Sequence, residues 1–243
     1  MARQKELGMV PEVLDKILTI EEAVKNICDG STIMVGGFGV PGTPFAIIDA
    51  IVALGVTGLT LIKNDANEDG MGISKLIEVG SVKKLITSHL GLNTTAIDMM
   101  NQGDIEVEFY PQGILAEKIR AGGAGLQGIL TDIGIGTILE NGKEVLSVNG
   151  KPAIVEAAMR ADFAIVHASV ADRFGNLVYE KSARNFNPVM ATAAELVIVE
   201  TEILLETGEL DPDKIHTPGV FVDHIVVLDK ISKDYGVLEK HVK

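Results

Sequence analysis

The stretch "VGGFGVPGTP" (residues 35–44) places four glycines and two prolines directly behind the apolar run Ser31–Val35. A backbone this bare suits a turn that must pass close to a neighbouring segment or a ligand, because glycine has no Cβ to obstruct the approach. Behind it, "PFAIIDAIVALG" has the apolar spacing of a helix closed by Gly55, and "LTLIKND" (59–65) reads as a second buried strand. A strand–loop–helix–strand unit of this kind predicts parallel pairing.

The alternation extends in both directions. Upstream, Thr19-Ile20-Glu21-Glu22 fits a capping box, which predicts a helix ending near Asp29-Gly30 and a strand at 31–35. Downstream, helices at 73–79, 94–101 and 114–120 alternate with strands at 83–88 and 105–110. From about residue 129 two Asn-Gly pairs, 141–142 and 149–150, sit between short β-prone runs, the pattern of tight hairpins. A strand at 162–168, a hairpin over "DRFGNLVYE", a helix at 188–195 and strands at 196–200 and 220–228 complete the pattern. The expected fold is α/β: an open, mostly parallel sheet with helices on both faces plus a small antiparallel hairpin flap. One domain spans 19–229, with 1–18 as an N-terminal extension and 230–243 as a tail. The apolar residues Val10, Val13, Leu14, Ile17 and Leu18 give the extension a face to pack on the domain or on a partner.

Composition narrows the function. Of 243 residues, 21 are basic and 34 acidic, a net charge of −13, and no basic block appears. Nucleic acid is excluded as a partner, because it is bound first by neutralising phosphate. No apolar run approaches the roughly 18–20 residues that cross a bilayer, and "MARQKELGMVPEVLDKIL" lacks a signal core, so a cytoplasmic protein is expected. The single Cys28 reads as a buried thiol near a helix end. The five histidines are scattered without paired ligand spacing, so no metal site is predicted.

Gly37-Phe38-Gly39-Val40-Pro41-Gly42 satisfies G-x-G-x-x-G between a strand and a helix, with Asp65 at the end of the next strand. That arrangement suits an NAD(P)-dependent oxidoreductase. Pro41 removes an amide from the loop, however, and a second match at Gly123–Gly128 has no strand obviously before it.

The longer pattern Asp29-Gly30-x-x-Ile33-Met34-Val35-Gly36-Gly37-Phe38-x-x-x-Gly42-x-Pro44 closely resembles the signature of the family I coenzyme A transferases. "LTLIKNDANEDGMGI", "VEFYPQGILAEKIRAGGAGL" and "ADRFGNLVYEKSARNFNP" resemble further segments of the family's alpha half, together covering about residues 19–229. The resemblance implies the alpha subunit of an acetate, butyrate or acetoacetate CoA-transferase. Its substrates would be acyl-CoA and short-chain carboxylic acids, with coenzyme A as substrate and no tightly bound cofactor. Such enzymes work by ping-pong: a glutamate attacks the thioester, and CoA is held as a glutamyl thioester until the second acid arrives. A carboxylate with a pKa near 4 is already ionised at neutral pH, so what it requires is an oxyanion site rather than a base.

By the same resemblance, the loop Gly36, Gly37, Phe38, Gly39, Val40, Pro41 and Gly42 contacts CoA or the acyl group. Gln112 in Pro-Gln-Gly and Asn64 at the end of the second strand support catalysis through their amides, unless they only tie down turns. Arg184 and Asn185 either contact a phosphate or carboxylate or pack within the fold or against a partner. Leu139-Glu140-Asn141-Gly142 is close to the family's nucleophile motif, Ser-Glu-Asn-Gly, yet Asn-Gly is also what a hairpin demands. The family's nucleophile belongs to its beta half, which implies a CoA-transferase beta subunit as partner, in a heterotetramer of two alpha and two beta chains. Asp132 and Asp65 depart from common family residues and leave the acyl preference open.

Overall fold

The computed structural model describes residues 15–236, so Val10, Val13 and Leu14 lie outside the described residues. Thr19 caps α1 (Ile20–Val24) through a reciprocal capping box with Glu22. Then β1 (Thr32–Val35), α2 (Phe45–Leu54), β2 (Leu59–Ile62), α3 (Ile73–Glu78), β3 (Val82–Thr87), α4 (Thr94–Gln102) and β4 (Glu106–Phe109) alternate along the chain. After α5 (Gln112–Gly123), the strands β5 (Gly128–Thr131), β6 (Val145–Val148) and β7 (Lys151–Ala157) form a separate antiparallel sheet in the order β5-β7-β6. The chain returns through β8 (Ala161–Asp172), β9 (Leu177–Val178), α6 (Asn187–Ala191), β10 (Ala194–Leu205) and β11 (His224–Val227).

The main sheet has the order β11-β10-β8-β1-β2-β3-β4, parallel throughout, with β9 pairing antiparallel to β8. Side chains of a strand alternate between faces, and here both faces are covered. Ile33 and Val35 join Leu61, Ile48 and Leu76 beneath α1–α4, while Met34 joins Ile62, Leu115 and Met190 beneath α5 and α6. The strand order reverses between β1 and β8, so the loop leaving β1 sits at the topological switch point, where open sheets of this kind bind ligands.

Several expectations shift. The first helix ends at Val24 rather than near Gly30, because the chain turns to bury Ile27. That turn leaves Cys28 exposed, contrary to the expected buried thiol. The helix expected at 188–195 is Asn187–Ala191, and the strand at 196–200 is the twelve-residue β10, which pairs with the equally long β8. Glu195, Glu200 and Glu202 interrupt its apolar pattern. The strand expected at 220–228 is confined to His224–Val227, because a single 3-10 turn over Gly219–Phe221 follows Pro218. Residues 16–18 add to the sheet edge, where Leu18 N donates to Ile225 O at 3.0 Å and Ile225 N to Lys16 O at 2.7 Å.

Candidate active site

Four strand ends meet at the carboxyl edge of the sheet. The loop after β1 supplies Phe38, Gly39 and Val40, the turn after β2 supplies Asn64 to Glu68, β3 leads into Ser88, His89 and Leu90, and the first turn of α5 supplies Gln112. Together with Met71 and Leu92 they line a cleft of about 440 Å³. Its walls are mainly apolar, and its polar groups sit together at one end.

That polar end is organised around Asn64 and Asp65, both buried. Asn64 Oδ1 accepts from Gln112 Nε2 at 2.8 Å and lies 2.9 Å from Ser88 Oγ, while Asn64 Nδ2 donates to Asp65 Oδ2 at 3.1 Å. Asp65 also accepts from Gly39 N at 2.8 Å and Asn67 N at 3.0 Å, and its Oδ1 is 3.4 Å from Lys63 Nζ. Burial alone would raise the Asp65 carboxyl, but the Lys63 ammonium and these donors hold it below the usual carboxylate range. Asp65 is therefore an ionised brace that ties the β1 loop to the β2 turn. Each side-chain amide of Asn64 and Gln112 has two N–H bonds, and one on each is not used in these bonds.

The loop is held by its own bonds and by its neighbours. Gly36 N donates to Ile165 O at 2.9 Å, Phe38 N to Pro41 O at 3.1 Å, and Gly39 O accepts from both Thr43 Oγ1 and Asn67 Nδ2 at 2.7 Å. Among the described residues the Gly37, Val40 and Gly42 amides have no hydrogen-bond partner. The glycines serve different needs. A Cβ on Gly42, at φ +75°, would lie 2.4 Å from Ala183 O, so that position is bare because the chain itself passes there. A Cβ on Gly39 would meet nothing within 4 Å. Of the seven loop residues expected to meet a ligand, Phe38, Gly39 and Val40 line the cleft; Pro41 and Gly42 face a smaller hollow beside His167, and Gly36 and Gly37 are buried behind the loop.

Asn185 packs within the fold, its Nδ2 donating to Pro41 O at 2.9 Å, and Arg184 is outside the cleft. Glu140 also lies outside the cleft, in a 3-10 turn over Ile138–Glu140 where its Oε2 accepts from Gly136 N at 2.6 Å. The two Asn-Gly pairs differ: Asn149 (φ 52°) and Gly150 (φ 76°) make the β6–β7 hairpin, while Asn141 (φ −59°) and Gly142 (φ 76°) follow the 3-10 turn. The second G-x-G-x-x-G, at 123–128, ends α5 and enters β5, and is no phosphate loop. The first match fares little better as a dinucleotide site, since both oxygens of Asp65, which would have to take the ribose, already accept protein donors.

Asn67, Glu68, Ser88 and His89 were not singled out in the sequence. Ser88 and His89 follow β3 at the same sheet edge as Asn64, which was the available signal. Asn67 is a non-glycine residue at φ 60°, visible only in the folded chain. Among the described residues no group of three or more His, Cys, Asp or Glu side chains could hold a metal ion, and no helix is long and apolar enough to cross a membrane.

The cleft lies at the switch point of the sheet, lined by the side-chain amides of Asn64 and Gln112 and by a mainly apolar wall. Residues 17–228 match the family described as Coenzyme A transferase, and the chain belongs to that family, an enzyme class that transfers CoA. It is 48% identical over 212 residues to the alpha chain of the acetate CoA-transferase of Escherichia coli K12, covering 87% of this chain and 96% of that one. It is 42% identical over 221 residues to the corresponding chain of a succinyl-CoA:3-ketoacid coenzyme A transferase of Helicobacter pylori, covering 90% and 95%. Among solved structures it resembles an acyl-CoA transferase from E. coli O157:H7 in a thioester complex with CoA, at TM-score 0.82 and 26% identity. That match covers 90% of this chain and 48% of the other, so the chain spans about half its length.

Proposed function

We propose that this chain is the alpha subunit of a short-chain acyl-CoA:carboxylate CoA-transferase of the acetate, butyrate or acetoacetate class, and that its nucleophilic glutamate belongs to a partner, the beta subunit. The observation that carries the proposal is a cleft that brings the side-chain amides of Asn64 and Gln112 together, while the Asp65 and Glu140 carboxylates are already taken by other groups. Asp65 is engaged by four groups, and Glu140 is tied to its own turn in the small sheet. The relatives named as single chains of a multi-chain transferase, and the match to half of a longer transferase, support a division of the site between two chains.

In this reading the partner's carboxylate oxygen attacks the thioester carbonyl. The tetrahedral oxyanion forms against the free N–H groups of Asn64 and Gln112 and the Val40 amide, and its C–S bond then breaks, expelling CoA as thiolate and leaving an acyl-glutamyl anhydride. The thiolate then attacks the glutamyl carbonyl and releases the first acid, leaving a glutamyl-CoA thioester, and the second acid reverses both steps. Each preorganised donor is worth about 3 kcal/mol of barrier in acyl-transfer enzymes. The pair works in the cytoplasm as two alpha and two beta chains.

Glu68, which lines the cleft beside Asn67, favours a second reading in which this chain carries its own nucleophile. Assays of the purified chain and of the chain co-purified with its beta partner separate the two. The expected result is no CoA transfer by the chain alone and ping-pong kinetics in the complex, retained in Glu68→Gln. Full transfer by the chain alone, lost in Glu68→Gln, would overturn the proposal.

A further inference from the structure

The glycine loop is held from its outer side as firmly as from the cleft. Three successive carbonyls each accept a side-chain donor from the last third of the chain. Pro41 O takes Asn185 Nδ2 at 2.9 Å, Gly42 O takes Asn187 Nδ2 at 3.0 Å, and Thr43 O takes the Tyr235 hydroxyl. Asn185 and Asn187 lie inside the residues matched to the family, whereas Tyr235 lies beyond them, in a single 3-10 turn over Lys233–Gly236.

The Tyr235 ring meets Phe45, the first residue of α2, edge to face at 4.8 Å and 81°, and lies 5.0 Å from the His167 ring. It packs against the small cluster of Val40, Phe45 and Met71, two of which line the cleft. The turn is anchored next door, where Asp234 Oδ2 accepts from Lys75 Nζ at 3.0 Å while the same ammonium reaches Asp49 Oδ1 of α2 at 2.8 Å. Burial and the carboxylates of Glu200 and Glu202 push the Tyr235 phenol well above its ordinary value, so it stays a donor at every working pH. One residue thus touches the end of the loop, the start of α2 and the back of the cleft wall.

We propose that Tyr235 is a positioning residue for acyl transfer, and that the turn Lys233–Gly236 is a latch fixing the glycine loop so that the Val40 amide and the Val40–Met71 wall face the substrate. The proposal rests on the CoA-transferase reading above. It predicts that the effect of losing the latch is local to the loop and appears in kcat, since the loop's amide is aligned with the transition state rather than with the resting substrate.

Tyr235→Phe keeps the ring and removes the bond to Thr43 O. In the complex with the beta partner, kcat should fall about fivefold with KM within about twofold, the size of one hydrogen bond. In the chain alone, hydrogen exchange at the bonded loop amides of Phe38, Gly39 and Thr43 should quicken by about the same factor while β1 and β8 amides exchange as before. Tyr235→Ala should enlarge both effects at the same sites. Unchanged exchange in both variants would overturn the latch, and so would acceleration spread evenly over the chain. Quickened loop exchange with an unchanged kcat would overturn the positioning role. Because exchange is read on the chain by itself, a wild-type complex without transfer activity would count against the CoA-transferase reading and leave the exchange result to decide the latch.

Discussion

The glycine loop and the small three-stranded sheet both contain glycine turns, and both carry a family-like motif. They fold to opposite ends. The loop is bonded to side chains from three other segments, through Asp65 and Asn67, Asn185 and Asn187, and Tyr235. In the small sheet all four residues of β6 are exposed, Ile138 is 84% exposed, and Glu140 bonds only to its own turn. Glu156 of β7 ties the sheet to the body, its carboxylate meeting Lys118 Nζ of α5 at 2.8 Å, and also binds Lys143 of the sheet's own connection. A glutamate in a near-motif therefore has little meaning in a segment where nothing else converges, and an asparagine without a motif acquires a role where four strand ends meet.

Breaking the loop's brace should have the largest effect. Asp65→Ala removes four bonds and leaves the wholly buried Lys63 without its counter-ion, which should cost about 3–5 kcal/mol in denaturant unfolding and abolish transfer. Gly42→Ala comes next, at about 3 kcal/mol, because the new Cβ meets Ala183 O at 2.4 Å from a left-handed backbone. Gln112→Ala separates chemistry from stability. Gln112 is exposed, so the melting temperature should hold, while kcat of the complex falls on the order of a hundredfold.

A smaller, pH-dependent effect comes from His167, whose Nδ1 is 2.9 Å from Glu200 and whose Nε2 is 3.0 Å from Glu202, while Glu200 also accepts from Ile47 N of α2 at 3.0 Å. Burial alone would lower its pKa, but the two carboxylates raise it above the ordinary 6.5. Its contribution to stability is therefore complete below about pH 6.5 and fades as pH rises through the higher folded-state value. Unfolding free energies of wild type and His167→Gln should converge as pH is raised. The smallest effect belongs to the sheet. Glu140→Gln should change stability by less than about 0.5 kcal/mol and leave transfer within about twofold.

The fold was legible because its signals are local. The capping box at Thr19, the glycine closing α2 and the alternating strands and helices each state an element within a few residues. The misplacements fall where tertiary packing overrides that code: Ile27 burial unwinds the first helix, and β10 runs through Glu200 and Glu202 because both carboxylates pair with His167, Glu200 fully buried. The site was half legible. Asn64, Gln112 and Phe38 to Val40 came from the resemblance to the family, with their places after strands in accord, and they meet in one cleft. Asn67, Ser88 and the Asn187 and Tyr235 donors were not, because their function is a bond to a main-chain atom or a neighbouring side chain far away in sequence, which no spacing announces.

The central claim is that the active site is shared, with the donors on this chain and the nucleophile on its partner. Incubating the co-purified complex with acyl-CoA and weighing each chain intact, followed by peptide mapping of the CoA adduct, tests it most directly. A CoA-sized mass increase is expected on one glutamate of the partner chain and none on this chain. An adduct mapped to Glu68 or Glu140 of this chain would contradict it.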